Sequence, residues 1–192
     1  MKNAIITVSD KTNIEKIGLF LIENNFNIYS TGGTYKYLME NIDETYHKYI
    51  IDIPNLTGFP EILNGRVKTL HPKIYGGLLA DVDNIEHIKD IKNNKLIIFS
   101  VVIVNLYPFV KNNCIENIDI GGVSLIRASS KNYKHVSILT ELKQYNLFMD
   151  YYKLIKEDKN KNIKENFNLS LARRGFKLTS KYDNLIYEYL NK

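Results

Sequence analysis

Residues 96–104 read LIIFSVVIV and residues 4–8 read AIITV. Both are near-continuous apolar runs rich in β-branched side chains, the pattern of a strand covered on both faces. The longer run is well short of the roughly 18 residues a membrane span needs, so it reads as the central strand of a sheet. Outward from these runs, apolar segments alternate with amphipathic ones. Thr12 to Glu15 has the spacing of a capping box, and Ile14, Ile17, Leu21 and Ile22 then share one helical face, ended by Asn24 and Asn25. Residues 26–29 read as a second strand, followed by a short helix through Tyr37 and Leu38, and 49–53 as a third. Residues 57–79 carry prolines and glycines among mixed residues and read as a structured loop wrapped over the sheet. A helix over 84–92, a glycine-opened helix over 122–131, a strand over 136–139 and a helical region from Tyr145, broken at 156–166, complete the pattern. Strands separated by helices predict an α/β fold with a parallel sheet, and ligands of such sheets bind beyond the C-terminal strand ends.

Composition narrows the function. The chain has 192 residues, 44% hydrophobic and 24% charged, enough for one domain with a sizeable core and no staples. A single cysteine, Cys114, excludes a disulfide framework, and four scattered histidines without an HExxH motif argue against a zinc enzyme. The N-terminal sequence has no signal-peptide pattern, which fits a reducing cytoplasm. The net charge of +5, from 26 basic and 21 acidic residues, suits nucleic acid, a membrane surface or a phosphorylated substrate.

Polar motifs sit at four strand ends. The first is Ser9, Asp10 and Lys11. The second is Thr31, Gly32, Gly33 and Thr34, where free backbone N–H groups at a helix start suit a phosphate, or simply make a glycine turn. The third is Asn105, Leu106, Tyr107 and Pro108, and the fourth is Asp119, Ile120, Gly121 and Gly122. Between them, Arg66 and Lys68 alternate across Val67, so an extended segment would aim both cations the same way. Lys131 ends the glycine-opened helix, where a cation also suits the helix dipole. Together these residues suggest one site for an anionic ligand.

The blocks VSDK (8–11), STGGT (30–34), TGFPE (57–61), GRVKTLHP (65–72), VNLYPF (104–109) and IDIGG (118–122) closely resemble the inosine monophosphate (IMP) cyclohydrolase domain. That domain is normally the N-terminal part of a bifunctional purine-synthesis enzyme. Arg127, Lys131 and Asn132 match a further block. The resemblance implies a methylglyoxal-synthase-like three-layer fold with a mostly parallel sheet and a helical C-terminal part. It implies closure of 5-formamidoimidazole-4-carboxamide ribotide (FAICAR) to IMP and water, without a cofactor or a metal, by a homodimer. It assigns Lys68, Tyr107, Asp119 and Lys131 as catalytic residues. Ser9, Asp10, Lys11, Thr31, Gly32, Gly33, Thr34, Arg66, Val67, Thr69, Val104, Asn105, Ile120, Gly121 and Gly122 would bind substrate. Within that set Lys131 is expected to shuttle the proton, with Arg66 and a second lysine lowering a lysine pKa and Asn105 contacting the base.

The match has departures. The chain stops near Lys192 where the bifunctional relatives continue, so no formyltransferase domain is expected. Leu178 and Tyr133 stand where the family usually has histidine. His71 reads as a structural histidine of its loop, and His47, His87 and His135 as isolated surface residues. Two other readings compete: a methylglyoxal synthase, which would need a carboxylate base near the phosphate loop, and a non-catalytic nucleotide-sensing module. A partner nucleic acid or membrane is not expected, because no basic helix face or aromatic-basic array is present.

Overall fold

In the computed structural model, described for residues 1–107, 109, 114–157 and 161–191, five strands form one parallel sheet in the order β3-β2-β1-β4-β5. They are β1 (Lys2–Val8), β2 (Phe26–Ser30), β3 (Ile50–Asp52), β4 (Val101–Asn105) and β5 (Ser137–Leu139). The helices are α1 (Ile14–Glu23), α2 (Gly32–Asn41), α3 (Ile53–Thr57), α4 (Pro72–Leu79), α5 (Ile85–Asn93), α6 (Gly121–Lys131), α7 (Lys143–Glu157) and α8 (Lys161–Leu190). Alternation along β1 divides the core. Ala4, Ile6 and Val8 pack with Ile14, Ile17, Leu21 and Phe148 on one face. Ile5 packs with Val102, Val104, Leu125 and Leu171 on the other. Helices therefore cover both faces, which is why these strands read as continuous apolar runs.

The expected α/β architecture holds, with local differences. The middle strand is β1; the run at 96–104 becomes strand only from Val101, where Ser100 N–H reaches the Asn3 carbonyl of β1, because just before it Phe99 N–H bonds the Gly77 carbonyl instead. The capping box does not form. Thr12 donates through its N–H and hydroxyl to Asp10 Oδ1 at 3.0 and 2.7 Å, and Asn13, in the left-handed region at φ 59°, precedes α1. The region at 57–79 contains α4, whose Gly76 and Gly77 looked like loop residues. They serve close packing instead: a Cβ at Gly77 would collide with the Ile97 carbonyl and press on the Phe99 ring at 3.0 Å. The polar stretch at 161–166 is the first part of α8; residues 158–160 of the expected break lie outside the described residues. Nor are the three histidines isolated: His47 Nε2 lies 2.9 Å from the Ile42 carbonyl oxygen. His135 Nε2 lies 3.1 Å from Asp81 Oδ1, and His87 Nδ1 accepts from the Asp81 N–H. No described helix is long and apolar enough to cross a membrane.

Candidate active site

The chain runs from β1 to its neighbour on one side and returns to β4 on the other, so connections diverge beyond Val8 and Asn105, which are register partners. A cleft of about 1130 Å³ opens there. It is large for a single nucleotide, since ligand pockets run to roughly 1,000 Å³. Its walls come from the ends of β1, β2 and β4, the segment 63–70, and residues 115–122 at the start of α6.

One end of the cleft is built on strand ends. Gly32, at φ +44°, takes a conformation that favours glycine and opens α2. Thr34 holds this turn to β1: its hydroxyl donates to the Val8 carbonyl and accepts from the Val8 N–H, both at 3.1 Å. Thr31 Oγ1 lies 3.1 Å from Thr7 Oγ1. Two ammonium groups converge on the same turn. A Cβ at Gly32 would stand 3.3 Å from Lys68 Nζ, and one at Gly33 would stand 3.9 Å from Lys11 Nζ. A helix N-terminus flanked by two lysines is a favourable place for a phosphate dianion.

The other end is built on loops. Lys68 pairs with Glu61 Oε2 at 3.0 Å, and Arg66 pairs with Glu116 across the cleft mouth. The expected arrangement of cation against cation is therefore replaced by two ion pairs. Arg66 has helical dihedrals rather than extended ones, yet both cations line the cleft. Tyr107 lines it with 46% of its surface exposed. Asp119 caps α6, accepting the Gly122 N–H at 2.7 Å through Oδ1. Burial pushes its carboxyl above the usual carboxylate range, opposed by bonds from the Gly122 and Val123 N–H groups.

Fifteen of the nineteen expected site residues line the cleft, and Asp10, Gly32, Val67 and Lys131 do not; several of the fifteen change role. Asn105 does not present a free amide: Oδ1 accepts from the Ser9 N–H, the Asp10 N–H and the Ser9 hydroxyl at 2.8–2.9 Å, and Nδ2 donates to the Asp10 carbonyl at 2.8 Å. It shapes the turn that carries Ser9 and Lys11. Asp10 turns its carboxylate to Thr12 and does not line the cleft. Val104 is buried in the core at 1% exposure and can offer only backbone. Val67 faces a smaller pocket with Phe59 and His71. Thr69, Ile120, Gly121 and Gly122 line the cleft. Pro108 of the tyrosine motif lies outside the described residues. Lys131 is the largest departure. It is exposed at the far end of α6, about 15 Å along the helix from Gly121, and does not line the cleft. His71 keeps its structural reading, its Nδ1 accepting the Lys73 N–H at the start of α4. Leu178 packs against the core beneath β5 and α6. Reasoning from the sequence missed Glu61 and Glu116, although both fall within or beside quoted blocks; Glu61 stands seven residues before Lys68, whereas Glu116 lies fifty residues from Arg66 and left no local signal.

Residues 13–132 match the MGS-like domain. The chain belongs to that family. Residues 129–192 match the AICARFT/IMPCHase bienzyme family, so the C-terminal helices continue the same relationship. The bifunctional purine biosynthesis protein PurH of Thermoanaerobacter sp. (strain X514) is 46% identical over 98% of this chain and 37% of its own length. The PurH proteins of Leptospira biflexa and Clostridium acetobutylicum are 42% and 43% identical over 100% and 99% of this chain. This MGS-like chain spans little more than a third of the length of those relatives. The crystal structure of ForH superposes with a TM-score of 0.84 at 26% identity, covering 100% of this chain and 97% of that one.

Proposed function

We propose that the chain closes FAICAR to IMP with release of water. The observation that carries this reading is a single cleft with a phosphate-binding turn at one end, Tyr107 and Asp119 at the other, and the Lys68 ammonium lining the same cleft beside the turn. The similarity to PurH proteins supports it. The carboxamide nitrogen attacks the formyl carbon, a C–N bond forms, and the nitrogen loses its proton as the formyl oxygen gains charge. The resulting carbinolamine then loses its hydroxyl, together with the proton of the former formamide nitrogen, as water while the ring C=N bond forms. An amide nitrogen is a poor nucleophile, so a base, an oxyanion partner and an acid are all needed. Asp119, made more basic by burial, takes the proton. Lys68 and the Tyr107 hydroxyl bind the developing charge and return a proton to the departing oxygen. Reactant groups lie in one molecule, so orientation by the anchored phosphate supplies much of the rate and the step draws on no redox or group-transfer cofactor.

The test is steady-state conversion of FAICAR, followed by IMP absorbance. Lys68→Ala and Tyr107→Phe are each expected to lower kcat about 10²- to 10⁴-fold; near-normal rates in both would sink the assignment. Lys131→Ala decides a separate matter. A loss as large as theirs would require Lys131 to act in the cleft of a second copy, because its own cleft is beyond reach. The carboxylate of Glu61 beside Gly32 is the feature that speaks for a methylglyoxal synthase. Its Oε2 is occupied by Lys68, and methylglyoxal release from a triose phosphate tests that reading directly.

A further inference from the structure

Tyr182 belongs to none of the motifs at the strand ends, yet it holds the ring-closing end of the cleft. It lies on α8 and is buried to 5% exposure. Its hydroxyl accepts the Asp119 N–H at 2.8 Å and donates to the Asn117 carbonyl at 3.2 Å. One O–H therefore satisfies two backbone groups of the turn that presents Asp119. Its ring meets Phe109 edge-on, with centroids 6.1 Å apart, and Tyr189 meets the same ring at 5.4 Å. Phe109 is buried and stands two residues beyond Tyr107. The far end of α8 thus grips the chain beside both Tyr107 and Asp119. Through the bond from Gly122 to Asp119, the same grip sets the start of α6. The phosphate turn has separate supports in Thr7, Val8 and Thr34.

We propose that Tyr182 is a positioning residue for Tyr107 and Asp119, which ties the C-terminal helix to turnover; the proposal rests on the cyclohydrolase reading above. A group acting this way affects the ring-closing step while leaving the phosphate anchor alone. A residue that merely stabilises the fold would affect neither or both.

The experiment compares unaltered protein, Tyr182→Phe and Tyr189→Phe in FAICAR kinetics, IMP binding by calorimetry, and hydrogen exchange. Tyr182→Phe keeps the ring and removes the hydroxyl. The expected result is a kcat lower by about tenfold, the scale of one lost hydrogen bond. The KM and the IMP dissociation constant should stay within about twofold, as expected when the lost contact serves only the transition state. Exchange should quicken in the peptide spanning 114–123 and not in that spanning 26–34. Tyr189→Phe should match the unaltered protein. An unchanged kcat with a lowered melting temperature overturns the proposal, as does a parallel rise in KM and fall in kcat. No turnover by the unaltered protein overturns the cyclohydrolase reading and this proposal with it, whereas turnover unaffected by Tyr182→Phe overturns this proposal alone. If Tyr182→Phe fails to fold, exchange of the Asp119 amide in the unaltered protein decides. Exchange as fast as an exposed loop amide would overturn the grip, and strong protection would support it.

Discussion

The two ends of the cleft are held in different ways. At the phosphate end, the turn at Gly32 and Gly33 follows β2 directly and is tied to β1 by Thr34, within a few residues of paired strands. The reacting side chains, Lys68 reaching in beside that turn and Tyr107 and Asp119 at the other end, ride on segments that show, among the described residues, no strand pairing beyond one bridge between Ile62 and Val67. They are held by side-chain contacts: Glu61 to Lys68 within the same segment and, from fifty residues away or more, Glu116 to Arg66 and Tyr182 to the Asp119 turn. The strand-end half is set by the sheet, whereas the loop half depends on packing from helices far away in the chain. A uniform anchor thus sits beside a reaction end that can be perturbed separately.

The largest expected effect on stability comes from α4, the helix that follows the Lys68 segment and packs on the approach to β4. Gly77→Ala places a Cβ against the Ile97 carbonyl and the Phe99 ring, with no flexible side-chain tip to yield at the carbonyl. It is expected to cost about 3 kcal/mol of stability, from overpacking in a buried contact. Chemical denaturation measures it, and a loss under about 0.5 kcal/mol would show that α4 slides freely on the sheet.

Lys11→Ala attacks the strand-end half. Phosphate binding is largely shared by ground and transition states, so KM should rise about tenfold while kcat stays within about threefold. A fall in kcat with KM unchanged would break the division between the two ends.

The division also explains what could be read from the sequence. Ala4–Ile6 and Val101–Val104 are apolar on both faces, and the glycine turn lies at a strand end, so a local pattern carried both the sheet and the phosphate site. Gly76 and Gly77 misled because glycine marks loops by default, while here it permits a close approach to a segment twenty residues away. Asn105 has the composition of a ligand-binding residue, yet its amide is consumed by the Ser9–Asp10 turn, a contact that only the β1–β4 register creates. Lys131 carries a motif, but a helix separates a motif's ends in space by its length. Tyr182 had no local signal because its partners lie more than sixty residues earlier.

Asp119 offers a subtler probe of the loop half through pH. Its folded pKa is raised above the unfolded value, with burial the main cause. Between those two values the folded protein binds more protons than the unfolded chain, so this group's contribution to stability is full below the unfolded pKa and falls as pH rises. Asp119→Asn removes that titration. The melting temperature of the variant minus that of the unaltered protein should therefore increase from acidic pH toward neutrality. A difference that is flat with pH would show that Asp119 is as well solvated as an ordinary surface carboxylate.

The smallest effect is expected at the cleft mouth. Arg66 and Glu116 pair there with 64% and 67% of their side chains exposed, so water and salt screen most of the attraction. Glu116→Gln should change stability by less than about 0.5 kcal/mol. Its kinetic effect separates two uses of the pair. If Glu116 competes with the anionic substrate for Arg66, the variant lowers KM severalfold at low salt and the advantage fades as salt is raised. If Glu116 instead aims Arg66 at the substrate, KM rises. The cation meets no other carboxylate among its described ion pairs, and it lines the cleft where a dianion must pass. Competition is therefore the expected outcome, and a raised KM would overturn it.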